Sequence, residues 1–148
     1  AKDYIAKGTN EIDMVVNFGF VRSGMWDEVI ADIRAVTDVA KPEGILVKVI
    51  FETAYLTLDE IRRTTECAIT ANADFVKTST GFGSGGATVA DVERFAGHRA
   101  SGIRIKASGG IRNLADARAL IGAGAERLGV SAARNLLAEA DYSGLTRG

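Results

Sequence analysis

The sequence predicts an α/β protein, a partial (β/α)8 TIM barrel with about five parallel strands alternating with helices and the N-terminal strands missing. Two observations predict it. Five apolar, β-branched runs are each followed by a loop and a segment of helical period. Polar side chains then recur on one face of those runs, among them three lysines spaced at two equal intervals of 29 residues. Strands that alternate with helices imply a parallel sheet with right-handed crossovers.

The elements follow in order. The chain opens on what reads as the end of a helix, AKDYIAKG, closed by Gly8. The run EIDMVVNF (11–18) places Ile12, Met14, Val16 and Phe18 on one face, and Glu11, Asp13, Val15 and Asn17 on the other. Trp26, Val29, Ile30, Ile33 and Val36 then form one apolar stripe, so this helix lies flat on the sheet with Trp26 in the core. In the second strand, ILVKVIF (45–51), Lys48 shares a face with Glu52. The third, ADFVKTS (73–79), pairs Lys77 with Ser79, and the fourth, IRIKAS (103–108), pairs Lys106 with Ser108. RLGVS (127–131) is the fifth. Three helix starts are marked by a capping side chain three residues ahead of an acidic one: Thr57 before Glu60, Thr88 before Asp91 and Asn113 before Asp116. A complete eight-unit barrel takes about 250 residues, so these 148 residues fall roughly three βα units short. They are read as a single domain, with 138–148 as a flexible tail.

Composition narrows the function classes. A net charge of −1, with no run of like charge, offers no field for nucleic acid or an anionic membrane. Small molecules are the expected partners. Cys67 is the one cysteine and lies in a helix-period segment, which reads as a buried, inert thiol. No stretch has the length of a membrane span or the apolar core of a signal peptide, so the expected compartment is the cytosol. The lone His98 falls in a loop, AGHRAS, and is expected to face solvent rather than act as a base. No grouping of His, Cys and carboxylates has metal-ligand spacing, and neither a metal nor another cofactor is expected.

The three strand lysines carry the chemistry. An ammonium inside a buried parallel strand must be desolvated, so each needs a carboxylate partner or a reason to be neutral. The equal spacing of Lys48, Lys77 and Lys106 reads as equivalent heights in a lysine-lined lumen. A neutral amine attacks carbonyls, and a second ammonium on the neighbouring strand, about 4.8 Å away, favours the neutral form. Lys77 is the expected nucleophile, Lys106 the neighbour that tunes it, and Asp13 the carboxylate that orients a lysine or passes protons. The competing reading is a buried ion-pair network with Glu11, Asp13 or Glu52. The loops STGFGSGGAT, SGGIRN and GVSAARN are rich in glycine and small hydroxyl residues, as phosphate-binding loops are. Gly109 and Gly110 free backbone N–H groups just before the helix capped by Asn113, with Arg112 able to add charge.

Taken in chain order, EIDMVVNFG, VKVIFET, FVKTSTGFGSGGAT and KASGGIRN resemble deoxyribose-phosphate aldolase from about Gly8 to about Leu137. That family is a β/α barrel of class I aldolases. The resemblance implies reversible cleavage of 2-deoxy-D-ribose 5-phosphate to acetaldehyde and D-glyceraldehyde 3-phosphate, without metal or organic cofactor. It implies Lys77 as the Schiff-base lysine, Lys106 as the partner that favours its neutral form, Asp13 as the proton-relay carboxylate and Lys48 as an electrostatic contributor near the substrate. Thr80, Gly81, Gly109, Gly110, Gly129 and Ser131 would hold the phosphate. The sequence departs from the family at Ala132, where a second serine is usual, and Tyr142 is assigned no role. Two readings stay open: an active aldolase whose barrel is closed by another copy or a complementing segment, and an inactive fragment, folded as an open α/β unit, that at most binds phosphate. A different phosphate-binding barrel enzyme would explain the loops but not the paired lysines.

Overall fold

The computed structural model describes residues 1–142. Five strands, β1 (Glu11–Val15), β2 (Leu46–Ile50), β3 (Phe75–Lys77), β4 (Arg104–Ser108) and β5 (Arg127–Gly129), form one sheet in the order β1-β2-β3-β4-β5. Every neighbouring pair is parallel. Helices α1 (Lys2–Ala6), α2 (Phe18–Arg22), α3 (Trp26–Ala40), α4 (Leu58–Thr70), α5 (Val89–Ala96), α6 (Leu114–Ala123) and α7 (Ala133–Tyr142) alternate with them. The partial barrel read from the sequence is therefore the observed architecture. Among the described residues, no helix is long and apolar enough to cross a membrane.

The helix starts lie where the caps were expected. Thr57 and Glu60 make a reciprocal capping box, and Thr88 and Asn113 accept from the N–H groups of Asp91 and Asp116. Gly8, at φ 80°, turns the chain out of α1, a conformation open to glycine at little cost.

One face of the sheet meets the helices. Val47, Val49, Phe51, Val76, Ile105 and Ala107 are fully buried there with Val29 and Ile33 of α3. Phe51 meets Phe95 of α5 edge to face, centroids 5.2 Å apart. Each Val, Ile and Phe side chain among them contributes roughly 1.5–3 kcal/mol by leaving water, so this layer carries the stability and frees the opposite face for polar groups. Trp26 is half-buried rather than deep in the core, with the Arg63 guanidinium 5.4 Å from its ring centroid. Cys67 is buried, and burial, with the nearby Glu66 and Asp27 charges, pushes its thiol pKa up, as befits an inert thiol.

The strand boundaries are shorter than the sequence runs. Phe18, expected at the end of the first strand, opens α2, because the Asn17 side chain accepts from the Phe20 N–H and caps a helix there. Residues 138–142, expected in a flexible tail, belong to α7. The rest of that expected tail, 143–148, lies outside the described residues.

The sheet is curled. Arg127 on β5 places its Nη1 2.7 and 2.6 Å from the two carboxylate oxygens of Glu11 on β1. In a flat sheet those strands would stand roughly 19 Å apart, four spacings of about 4.8 Å, beyond the reach of the two side chains. The polar face is thus the concave, lumen face of a barrel segment.

Candidate active site

Parallel pairing and side-chain alternation bring five cations and two carboxylates onto the concave face. Asp13 is the hub. Its Oδ1 accepts from Lys48 Nζ at 2.7 Å, and its Oδ2 accepts from Lys77 Nζ at 2.7 Å and from Lys106 Nζ at 3.3 Å. Lys48 also lies 2.7 Å from Glu11 Oε2, so Glu11 bridges Lys48 and Arg127. Below them Phe75 is buried between the Arg104 and Arg127 guanidinium groups, 4.1 and 4.9 Å from its ring centroid.

The electrostatics follow from that crowding. Burial raises the Asp13 carboxyl pKa, but the hydrogen bonds from Lys48 and Lys77 and the charge of Lys106 outweigh it and hold the group far below the usual carboxylate range. Hydrogen bonds from Arg127 and Lys48 lower Glu11 to about 2. The pKa of Lys106 is lowered, first by burial and then by repulsion from Lys77 and Lys48, with Asp13 opposing. With cations in excess, the lumen favours an anionic ligand.

Lys77 and Lys106 are direct register partners on β3 and β4. Lys48 is not level with them: its register partner is Phe75, and Lys77 is opposite Ile50. The expected equal heights therefore hold for one pair of lysines only. Strands in a barrel are staggered by its shear, so equal sequence intervals do not give equal heights from strand to strand. Lys48 is also not among the residues that line the cavity above it. Lys48 is 2% exposed, sits beneath the cleft and serves as a clasp between Glu11 and Asp13.

Above the lysines opens a cavity of about 430 Å3. Its lining includes Lys77, Lys106, Thr80, Gly81, Gly109, Gly110, Gly129 and Ser131, every loop residue singled out from the sequence except Arg112. Gly109 and Gly110 both have positive φ, 83° and 74°, and this reversal leaves Arg112 exposed, with its backbone N–H on Asp116 Oδ2. Arg112 is not among the residues that line the cavity. His98 is half-buried, not open to solvent as expected, and does not line it.

The sequence reading missed several residues. Arg104 and Arg127 share strand faces with Lys106 and Gly129, so the alternation that found the lysines would have found them too. Phe82, on the cavity rim, is 98% exposed, and nothing in its local sequence marks it. Glu52 does not meet Lys48, because the chain leaves β2 at Ile50 and Glu52 takes φ 38°. Its carboxylate instead accepts from Thr80, through both backbone N–H and hydroxyl.

Gly129 has no room for a side chain. A Cβ there would lie 2.8 Å from Ser108 Cβ and 3.5 Å from Lys106 Cε. Gly129→Ala is expected to cost about 1–3 kcal/mol by overpacking and to displace Lys106. Urea unfolding measures the first effect and the Lys106 side-chain NMR shifts report the second; an unchanged midpoint with unchanged shifts would refute the crowding.

The sequence pattern of the DeoC/LacD family aldolase matches residues 1–139. A curated deoxyribose-phosphate aldolase of Exiguobacterium sp. is 50% identical over 131 residues, spanning 88% of this chain and 58% of that protein. A crystal structure from Coccidioides immitis, provisionally assigned as a deoxyribose-phosphate aldolase, superposes with a TM-score of 0.88 at 41% identity, covering 93% of this chain and 55% of that one. A tetrameric deoxyribose phosphate aldolase from Aeropyrum pernix does so with 0.80 at 32%, covering 93% and 56%. The chain spans about three fifths of the length of the curated relatives it matches.

Proposed function

The chain belongs to the DeoC/LacD family of aldolases, and from that premise we propose that it carries the site of a class I aldolase. The reaction is the reversible cleavage of 2-deoxy-D-ribose 5-phosphate to acetaldehyde and D-glyceraldehyde 3-phosphate through an imine on Lys77. One observation carries this reading. Lys77 and Lys106 are register partners that share one carboxylate oxygen, on the floor of a cavity rimmed by three glycine-rich loops.

The chemistry fits those positions. Neutral Lys77 adds its lone pair to the C1 aldehyde of the open-chain sugar. The carbinolamine gains a proton, relayed by Asp13, and loses water to give the iminium. Removal of the C3 hydroxyl proton then breaks the C2–C3 bond, and its electron pair flows into the iminium as an enamine. The three-carbon aldehyde phosphate leaves. Protonation of the enamine carbon and hydrolysis release acetaldehyde and restore the amine. The imine nitrogen is the electron sink, so this route calls for no metal or organic cofactor.

Thr80, Gly81, Gly109, Gly110, Gly129 and Ser131 would receive the phosphate, where an anion meets backbone N–H groups and the cationic lumen. A further polypeptide, a second copy or a complementing segment, covers the free edges of β1 and β5 and closes the lumen. Small diffusible phosphorylated substrates suit a cytoplasmic enzyme.

The test is trapping with acetaldehyde and borohydride, followed by peptide mass spectrometry. An ethyl adduct on Lys77, absent from Lys77→Leu, is the expected result. No selective adduct on any lysine would overturn the reading and leave an inactive open α/β fragment.

A further inference from the structure

Glu52 is the buried carboxylate that the proposed chemistry does not use. It lies just past β2 and is only 4% exposed, in the left-handed region that residues other than glycine rarely adopt. Its Oε2 accepts the Thr80 backbone N–H at 3.2 Å and the Thr80 hydroxyl, while its buried Oε1 has no hydrogen-bond partner. A buried carboxylate held in a strained backbone conformation, with one oxygen unpartnered, carries a large cost unless its contacts serve a purpose.

Those contacts all point to one wall of the cavity. Thr80 Oγ1 in turn accepts the Phe82 N–H at 3.1 Å, so Thr80–Phe82 is folded around the Glu52 carboxylate. Gly83 passes so close that a Cβ there would lie 2.8 Å from the Glu52 carboxyl carbon and Oε1. Thr80, Gly81 and Phe82 line the cavity, whereas Glu52 does not. With the Thr80 N–H and hydroxyl hydrogen directed to Glu52 and the Phe82 N–H to Thr80 Oγ1, the backbone donor this turn leaves without a partner among the described residues is the Gly81 N–H. The turn is therefore a wall of the cavity whose geometry is set from behind by Glu52.

We propose that Glu52 is a positioning residue that pins the Thr80–Phe82 wall and so determines affinity for the phosphate end of the substrate, not reactivity at Lys77. The proposal rests on the aldolase reading for the identity of the ligand. The pin requires an acceptor at this position, not a negative charge. A glutamine keeps the acceptor and an alanine removes it.

The experiment has two arms, run on the parent chain, Glu52→Gln, Glu52→Ala and Gly83→Ala. The first titrates inorganic phosphate and follows the Gly81 amide by NMR. The second measures the rate of borohydride-trapped acetaldehyde on Lys77. Glu52→Ala is expected to weaken phosphate binding by about tenfold, on the scale of one lost buried hydrogen bond, with the acetaldehyde rate within about twofold of the parent. Glu52→Gln should bind phosphate nearly as the parent does. Gly83→Ala leaves the glutamate in place and pushes the loop off it, so it should reproduce the phosphate defect even where Glu52→Ala fails to fold. Parent-like phosphate binding in Glu52→Ala or Gly83→Ala overturns the proposal. So does a matched loss in both arms, which marks a merely structural residue, or a loss in Glu52→Gln equal to that in Glu52→Ala. A parent chain that takes no acetaldehyde refutes the aldolase reading alone, because the phosphate arm still decides whether Glu52 pins the wall.

Discussion

At neutral pH the Lys106→Met chain is expected to take acetaldehyde onto Lys77 roughly a hundredfold more slowly than the parent, a deficit that closes as the pH is raised. The two residues are register partners on adjacent strands. Ammonium groups on adjacent strands, about 4.8 Å apart, repel by about 3 kcal/mol at an effective dielectric near 20, a free energy equivalent to about a hundredfold in rate. That repulsion is mutual, and at Lys106 it adds to burial in lowering the pKa. Methionine keeps most of the aliphatic volume and removes the charge. Lys77 would then hold Asp13 Oδ2 alone. Lys106, its pKa lowered, sheds its charge as the solution becomes alkaline, so the parent comes to resemble the variant and the sign is fixed: the deficit closes with rising pH. The pH profile of the trapped adduct checks this. A loss of equal size at every pH would show that Lys106 acts by donating a proton or by shape, not by its charge.

The sequence made the lysine face legible because alternation along a strand is a local rule. It needs no knowledge of neighbouring strands, and it placed Lys77, Lys106 and Asp13 on one surface. The caps at Thr57, Thr88 and Asn113 were legible for the same reason, since each is settled within four residues. Register is not local. Asp13 is opposite Lys48, and Lys48 opposite Phe75, and these offsets come from loop length and barrel stagger rather than from the strands themselves. That is why Lys48 was read as a third lumen lysine near substrate and is instead a buried clasp. Glu52 was misread where the periodicity it relied on had ended, two residues beyond β2. Arg127 lies on a face that alternation identifies, but its role depends on curvature: only a curled sheet lets a β5 side chain touch Glu11 on β1. Arg112 was read from composition, and composition does not contain the positive-φ path of Gly109 and Gly110 that precedes it.

Asp13→Ala is expected to destabilise the chain by about 3 kcal/mol at pH 7, the lower end for removing one partner of a buried ion pair, because Lys48 keeps Glu11. The substitution removes the common acceptor of three ammonium groups and leaves Glu11 as the remaining carboxylate of the cluster. The pH dependence separates charge from packing. In the folded chain Asp13 and Glu11 have pKa values depressed below their ordinary 3.8 and 4.5. A carboxylate with a depressed folded-state pKa contributes stability that is present above its unfolded pKa and is lost as the pH falls through its folded one. The parent should therefore weaken from about pH 4.5 toward about 2, where Glu11 titrates. The variant has already lost the Asp13 part, so its stability should fall less steeply. Urea unfolding of both chains at pH 7 and at steps down to pH 3 measures the gap between them. It should narrow with acid if Asp13 stabilises the fold by its charge. A gap of constant width would mean that the ammonium groups find other compensation and that Asp13 matters as a space-filling side chain. Asp13 would then no longer qualify as the hub that holds Lys77 in place for imine chemistry.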